Sequence, residues 1–188
     1  MGQGLGHVSR LLVIAENFQK QGYKCIFLVS DLLLAGAKAQ RSGFDVIAAP
    51  NVGLSPLKRG EQTTSMADIL MRKGYSDYPK LKSSLGAWIS ILKFINPDLV
   101  VLEYAPTARL AAGVQFKTIV LGTGFTIPAS VSGEIAKFRK GKPLISEVKI
   151  LNTIAEVQKT YGGWTPHRLI ELFRGDRVFI DILPEMDC

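Results

Sequence analysis

The chain has 188 residues, 47% of them hydrophobic, which is enough for one globular domain with its own core. No apolar run reaches the length of a membrane span, the opening residues lack a signal pattern, and Cys25 and Cys188 give neither a disulfide framework nor metal-ligand spacing. The net charge of +7 invites nucleic acid or an anionic surface as partner, but there is no helix-turn-helix, ribonucleoprotein signature or zinc knuckle. Nucleic acid is therefore set aside. The clusters Lys137, Arg139, Lys140, Lys142 and Lys58, Arg59 read first as solvated loops, and weak contact with anionic lipid stays open. A reducing cytoplasm is the default location, with a peripheral position at the inner membrane face left open.

In chain order, the first stretch is Met1-Gly2-Gln3-Gly4-Leu5-Gly6-His7, a glycine-rich turn running into a helix. Apolar Val8, Leu11, Leu12, Ala15 and Phe18 mark the buried face of that helix, and Gly22 stops it. Residues 24–30 form a nearly continuous apolar strand, as in a parallel sheet covered on both faces. Asp31 caps a second predicted helix that reaches about Ser42 and is closed by Gly43, and a strand from Phe44 to Ala49 ends at Pro50. A loop of functional length follows, Asn51 to Gln62. Ser65 to Lys73 predicts a short helix ended by Gly74. Leu81, Leu85, Trp88, Leu92 and Ile95 form the stripe of a longer one, from Tyr78 to Ile95.

Asn96-Pro97 precedes a buried strand, 98–102, with Glu103 at its end. Alanines 105, 108, 111 and 112 predict a close-packed short helix stopped near Gly113, then a strand from Lys117 to Leu121 and the turn Gly122-Thr123-Gly124-Phe125. Ser130 to Pro143 reads as a mobile, basic loop. Glu147 to Thr160 predicts a helix with Val148, Leu151, Ile154, Ala155 and Gln158 on one side, broken by Gly162-Gly163. A short helix from Arg168 to Phe173 and a strand from Arg177 to Ile182 complete the pattern. Strands alternating with helices predict an α/β fold, a Rossmann-like doubly wound parallel sheet.

In such sheets ligands bind outside the C-terminal ends of the strands. The turn with His7, Glu103, the loop Gly122–Phe125 and the loop after Pro50 all belong at that edge. A carboxylate on one ring nitrogen of a histidine would fix its tautomer and leave the other to take a proton from a hydroxyl. Each residue also has a plain structural explanation, as a local capping group or a solvated loop residue. The dinucleotide fingerprint G-x-G-x-x-G fails because His7 holds the place of the third glycine, and the phosphate-loop lysine signature is absent.

Taken together, Gly2-Gln3-Gly4-Leu5-Gly6-His7-Val8-Ser9-Arg10, Gln21-Gly22-Tyr23, Asn96-Pro97-Asp98-Leu99-Val100-Val101, Leu121-Gly122-Thr123-Gly124-Phe125, Phe173-Arg174-Gly175-Asp176 and Leu183-Pro184-Glu185-Met186-Asp187 resemble the N-terminal half of GT-B glycosyltransferases. The nearest group is the bacterial relatives of UDP-glucuronosyl and UDP-glucosyl transferases. The resemblance implies a single acceptor-binding domain over residues 1–188 of an enzyme that moves sugar from a nucleotide donor, a UDP-sugar, to a hydroxyl of a small-molecule or lipid acceptor. It assigns His7 as general base and Glu103 to the place of the family's aspartate partner. It also implies acceptor contacts at Gly4, Gly6, Thr123, Gly124 and Phe125. No metal or other cofactor is implied, because the family holds the donor diphosphate in a C-terminal domain that is expected beyond Cys188. It further implies a first strand before Met1, central in a 3-2-1-4-5 order, whose loss would leave two neighbours with open edges. The chain is thus expected to be part of a longer product, inactive by itself. A stand-alone subunit of a two-chain transferase is an alternative, and a dinucleotide-binding oxidoreductase ranks well below.

Overall fold

The computed structural model describes residues 5–131 and 133–181. Gly4 and the closing motif 183–187 lie outside the described residues. The chain divides into two compact units, residues 1–51 and 52–188.

In the first unit, helix α1 (Leu5–Lys20) buries Val8, Leu12 and Ala15 at the predicted spacing. It ends in a turn where Gly22 takes φ 89°, a left-handed conformation that glycine adopts without cost. Strand β1 (Ile26–Val29) pairs in parallel with β2 (Asp45–Ala48), in the register Ile26 opposite Asp45 to Val29 opposite Ala48. The stretch between them is not one continuous α-helix. A π-helical turn, Leu32–Gly36, leads into a short α2 (Ala37–Arg41). Asp31 caps it as expected, its carboxylate accepting the Leu34 N–H at 2.9 Å. The wider turn seats Gly36 where a Cβ would already touch Val29 and Val46 at 3.4 Å, so the backbone lies close on both strands. Val8, Leu12, Ala15, Phe27, Ala39 and Phe44 make the core of this unit.

The second unit begins with a loop that leads to α3 (Met66–Leu70). A π-helical turn, Met71–Tyr75, follows and is broken by Gly74 at φ 86°. Helix α4 (Tyr78–Ile95) follows as predicted, capped by Asp77 and closed by Asn96 in a left-handed conformation. Then come β3 (Val100–Glu103), α5 (Pro106–Ala112), β4 (Thr118–Gly122), the two-residue strands β5 (Ser130–Val131) and β6 (Glu134–Ile135), α6 (Glu147–Tyr161), a 3₁₀ turn (Leu169–Phe173) and β7 (Arg177–Ile180). Strands β3, β4 and β7 form a parallel sheet in that order, and β5 and β6 a small antiparallel pair. The protein is a mixed α/β fold with six α-helices and small parallel sheets among the described residues. The expected parallel strands are divided between two sheets rather than joined in one: β1 pairs with β2, and β3 with β4.

Two details depart from the sequence reading. Helix α6 buries Ile150, Ile154, Val157 and Gln158, while Val148 stays 64% exposed, so its core face is rotated from the one expected. Both stripes have helical spacing. Gln158 belongs to both, and its amide donates to the carbonyls of Leu110 and Trp164, while Ile150 and Val157 enter the core in place of Val148 and Ala155. The segment read as a mobile basic loop carries the β5–β6 pair and is tied to α3 through Asp68. That carboxylate is fully buried and accepts the N–H groups of Thr64, Ser65, Leu144 and Ile145 and the Thr64 hydroxyl.

Sheet β3–β4–β7 is locked at its start. The Asp176 carboxylate accepts the Thr118 N–H at 2.7 Å and its hydroxyl at 3.0 Å, and the Thr118 hydroxyl accepts the Asp176 N–H at 3.2 Å. Those bonds hold the Asp176 carboxyl below its ordinary range. Gly175 makes the approach possible, since a Cβ there would lie 2.9 Å from the Thr118 carbonyl oxygen.

Candidate functional site

The parallel pairing of β3 and β4 places Glu103 opposite Leu121, so Glu103 and the turn after Gly122 share the C-terminal edge of one sheet. This brings together, within the second unit, four of the residues singled out by sequence: Glu103, Thr123, Gly124 and Phe125. The turn is closed by its own bonds. The Thr126 hydroxyl lies 2.8 Å from the Thr123 N–H and accepts from it, and the Ile127 N–H donates to the Thr123 carbonyl at 2.8 Å. The two glycines of the turn differ in role. A Cβ on Gly122 would collide with the Thr126 hydroxyl, whereas one on Gly124 meets nothing within 4 Å. Gly122 is therefore required by the turn itself, and Gly124 leaves an open approach to the backbone. Phe125 is 44% exposed and meets the Phe138 ring edge-on at 5.5 Å.

His7 and Gly6 lie in α1, in the first unit. Both are helical, so Gly6 is not a turn glycine, and a Cβ on it would meet nothing within 4 Å. His7 is half-buried.

Three further residues of the second unit were not read from the sequence. Tyr104, immediately after Glu103, has φ 47°, unusual for a non-glycine residue and costing on the order of 1–3 kcal/mol. Its hydroxyl donates to the Met66 sulfur at 3.4 Å, and its ring stacks on Phe173. Burial pushes its phenol well above the ordinary tyrosine range. The Lys73 ammonium sits over that ring, 4.6 Å from its centre, and burial lowers its pKa. Arg109 is held by the carbonyls of Arg174 and Gly113, with Trp164 against its guanidinium, and serves to staple α5 to the turn before β7. Nothing in the sequence around Tyr104 marks a left-handed residue; glycine or asparagine would have. Lys73 precedes the helix-stopping Gly74, a place that reads as solvent-exposed.

A cleft of about 330 Å³ opens in the same unit, lined by Ser55, Lys58, Glu61, Arg72 and Asp77 among others, with Leu144 at one side. This is within the roughly 300–1,000 Å³ of small-molecule sites. One wall is the loop Asn51–Gln62, read from the sequence as a loop of functional length. The Ser55 N–H donates to the Arg72 carbonyl at 2.8 Å, and Arg72 Nε donates to the Ser55 carbonyl at 3.0 Å, fixing that loop to the π-helical turn. The Lys58 N–H donates to the Glu61 carboxylate at 3.0 Å and closes the tip. Its lining carries both charges, Lys58 and Arg72 against Glu61 and Asp77, beside Ser55.

Among the described residues no group of three or more His, Cys, Asp or Glu side chains could hold a metal ion. None of the helices described is long and apolar enough to cross a membrane. Compared with known proteins, the sequence matches no family model and no curated protein significantly.

Proposed function

We propose that this chain is the acceptor-binding half of a glycosyltransferase, a Rossmann-like domain that presents a hydroxyl acceptor to a nucleotide-sugar donor. The observation that carries the reading is the shared edge of β3 and β4. Glu103, the strained Tyr104 and the open turn Thr123–Phe125 gather there, where ligands of parallel α/β sheets bind.

In this reading His7 takes the proton of the acceptor hydroxyl as its oxygen bonds to the anomeric carbon of the sugar. The bond from that carbon to the donor diphosphate breaks, and the nucleoside diphosphate leaves with the electron pair. The resemblance gives Glu103 the role of the carboxylate partner. Gly124 lets the acceptor approach the backbone, Thr123 and Phe125 flank it, and the cleft beside Arg72 takes its polar remainder. The donor is held by a further domain.

The test is nucleoside diphosphate release by the full-length gene product, measured over a panel of UDP-sugars with pooled hydroxyl acceptors. Release that depends on an acceptor is expected. No release above background with any donor would overturn the proposal.

A further inference from the structure

Residues 136–145 contain Lys137, Arg139, Lys140 and Lys142 and no carboxylate. All four are exposed, and none has an ion-pair partner among the described residues. Among the described residues their one polar side-chain contact is Lys137 Nζ donating to the Gly141 carbonyl at 3.3 Å.

Like charges this close repel, and an untethered loop would spread them apart. Here the arc is tied at both ends. The Ala136 N–H donates to the Ala129 carbonyl, the Phe138 N–H to the Thr64 carbonyl, and the N–H groups of Leu144 and Ile145 to the buried Asp68 carboxylate. Phe138 packs against the core and against Phe125. The charges are thus gathered on a preformed arc, with Phe125 44% and Leu144 36% exposed at its flanks. Three of the four cations are lysines, point charges without the planar fork with which arginine grips a single phosphate. Such a set fits a spread array of negative charge, and the flanking apolar side chains fit the layer just beneath it.

We propose that the arc 136–144 docks on bilayers that expose anionic lipid headgroups. This stands independently of the transferase reading. The test is co-sedimentation of the full chain with phosphatidylcholine vesicles, with and without phosphatidylglycerol, at low and raised salt. Binding is expected only with phosphatidylglycerol and should fall as salt rises. Each cation near such a surface contributes roughly fivefold, so the variant K137Q/R139Q/K140Q/K142Q should lose at least tenfold. K137R/K140R/K142R should bind like the wild type. Matching circular dichroism melts show that the exposed substitutions leave the fold intact. Equal binding to both vesicle types, undiminished binding of the glutamine variant, or binding to a single-stranded oligonucleotide without binding to vesicles would overturn the proposal.

Discussion

Replacing Asp68 by asparagine exchanges one carboxylate oxygen for an NH₂ group. Oδ1 accepts the N–H groups of Leu144 at 2.7 Å and Ile145 at 3.3 Å. Oδ2 accepts the Thr64 N–H at 2.8 Å, its hydroxyl at 3.2 Å and the Ser65 N–H at 3.0 Å. Whichever oxygen is lost, a new donor faces two or three existing donors in a fully buried site. Hydrogen bonds to a charged group contribute about 1.5–3 kcal/mol each, and breaking a buried charged network costs about 3–5 kcal/mol. A loss of about 3–5 kcal/mol is therefore expected, a large share of the roughly 5–15 kcal/mol that holds a domain folded. Urea titration followed by tryptophan fluorescence reads it directly, because Trp88 and Trp164 both lie in the second unit. Asp77→Asn is the control: its carboxylate accepts the Lys80 N–H in the turn that starts α4 and pairs with the exposed Lys80 ammonium at 3.5 Å, so about 1 kcal/mol or less is expected. A loss at Asp68 below about 1 kcal/mol would refute the reasoning.

The same carboxylate sets a pH dependence. Burial pushes its pKa up, but the hydrogen bonds from Thr64, Leu144 and Ser65 outweigh this and hold it below 3.8. A folded value below the unfolded one means that the stabilisation is fully present above the ordinary carboxylate range. It is lost as pH falls below about 3.8 through the folded value, so the Asp68→Asn and wild-type stabilities should converge in strong acid.

The remaining expectations concern the sheet and its edge. Gly175→Ala sets a Cβ 2.9 Å from the Thr118 carbonyl and should cost about 1–3 kcal/mol by strain at the start of the β4–β7 pairing; an unchanged melting curve would count against that close approach. Gly124→Ala meets nothing within 4 Å and should leave stability within about 0.5 kcal/mol, yet raise KM for the acceptor. Unchanged kinetics there would remove Gly124 from the acceptor site. Glu103→Gln should lower turnover less than loss of the base itself does, and equal activity would leave His7 without need of a carboxylate.

The parts of the fold that follow from local pattern were legible. The stripe from Leu81 to Leu92 gives α4 and its end at Asn96, and the apolar runs give the centres of β1, β3 and β4. The face of α6 was not, because two overlapping stripes sharing Ile154 and Gln158 satisfy the same period, and packing of Ile150 and Val157 into the core of the second unit chooses between them. The tie of the basic segment to Asp68 spans 76 residues and leaves no local trace. At the sheet edge, strand order alone joins Glu103 to Thr123–Phe125. Tyr104 and Lys73 stayed hidden because a left-handed tyrosine and a half-buried ammonium over an aromatic ring run against what their residue types normally do.

The most direct test of the transferase reading is turnover of the His7→Ala variant of the full-length product, with a donor and an acceptor that the wild type uses. Loss of a general base should lower turnover on the order of a hundredfold or more, while the melting temperature stays near that of the wild type. Unchanged turnover in the folded variant would contradict the assignment of His7 as the base.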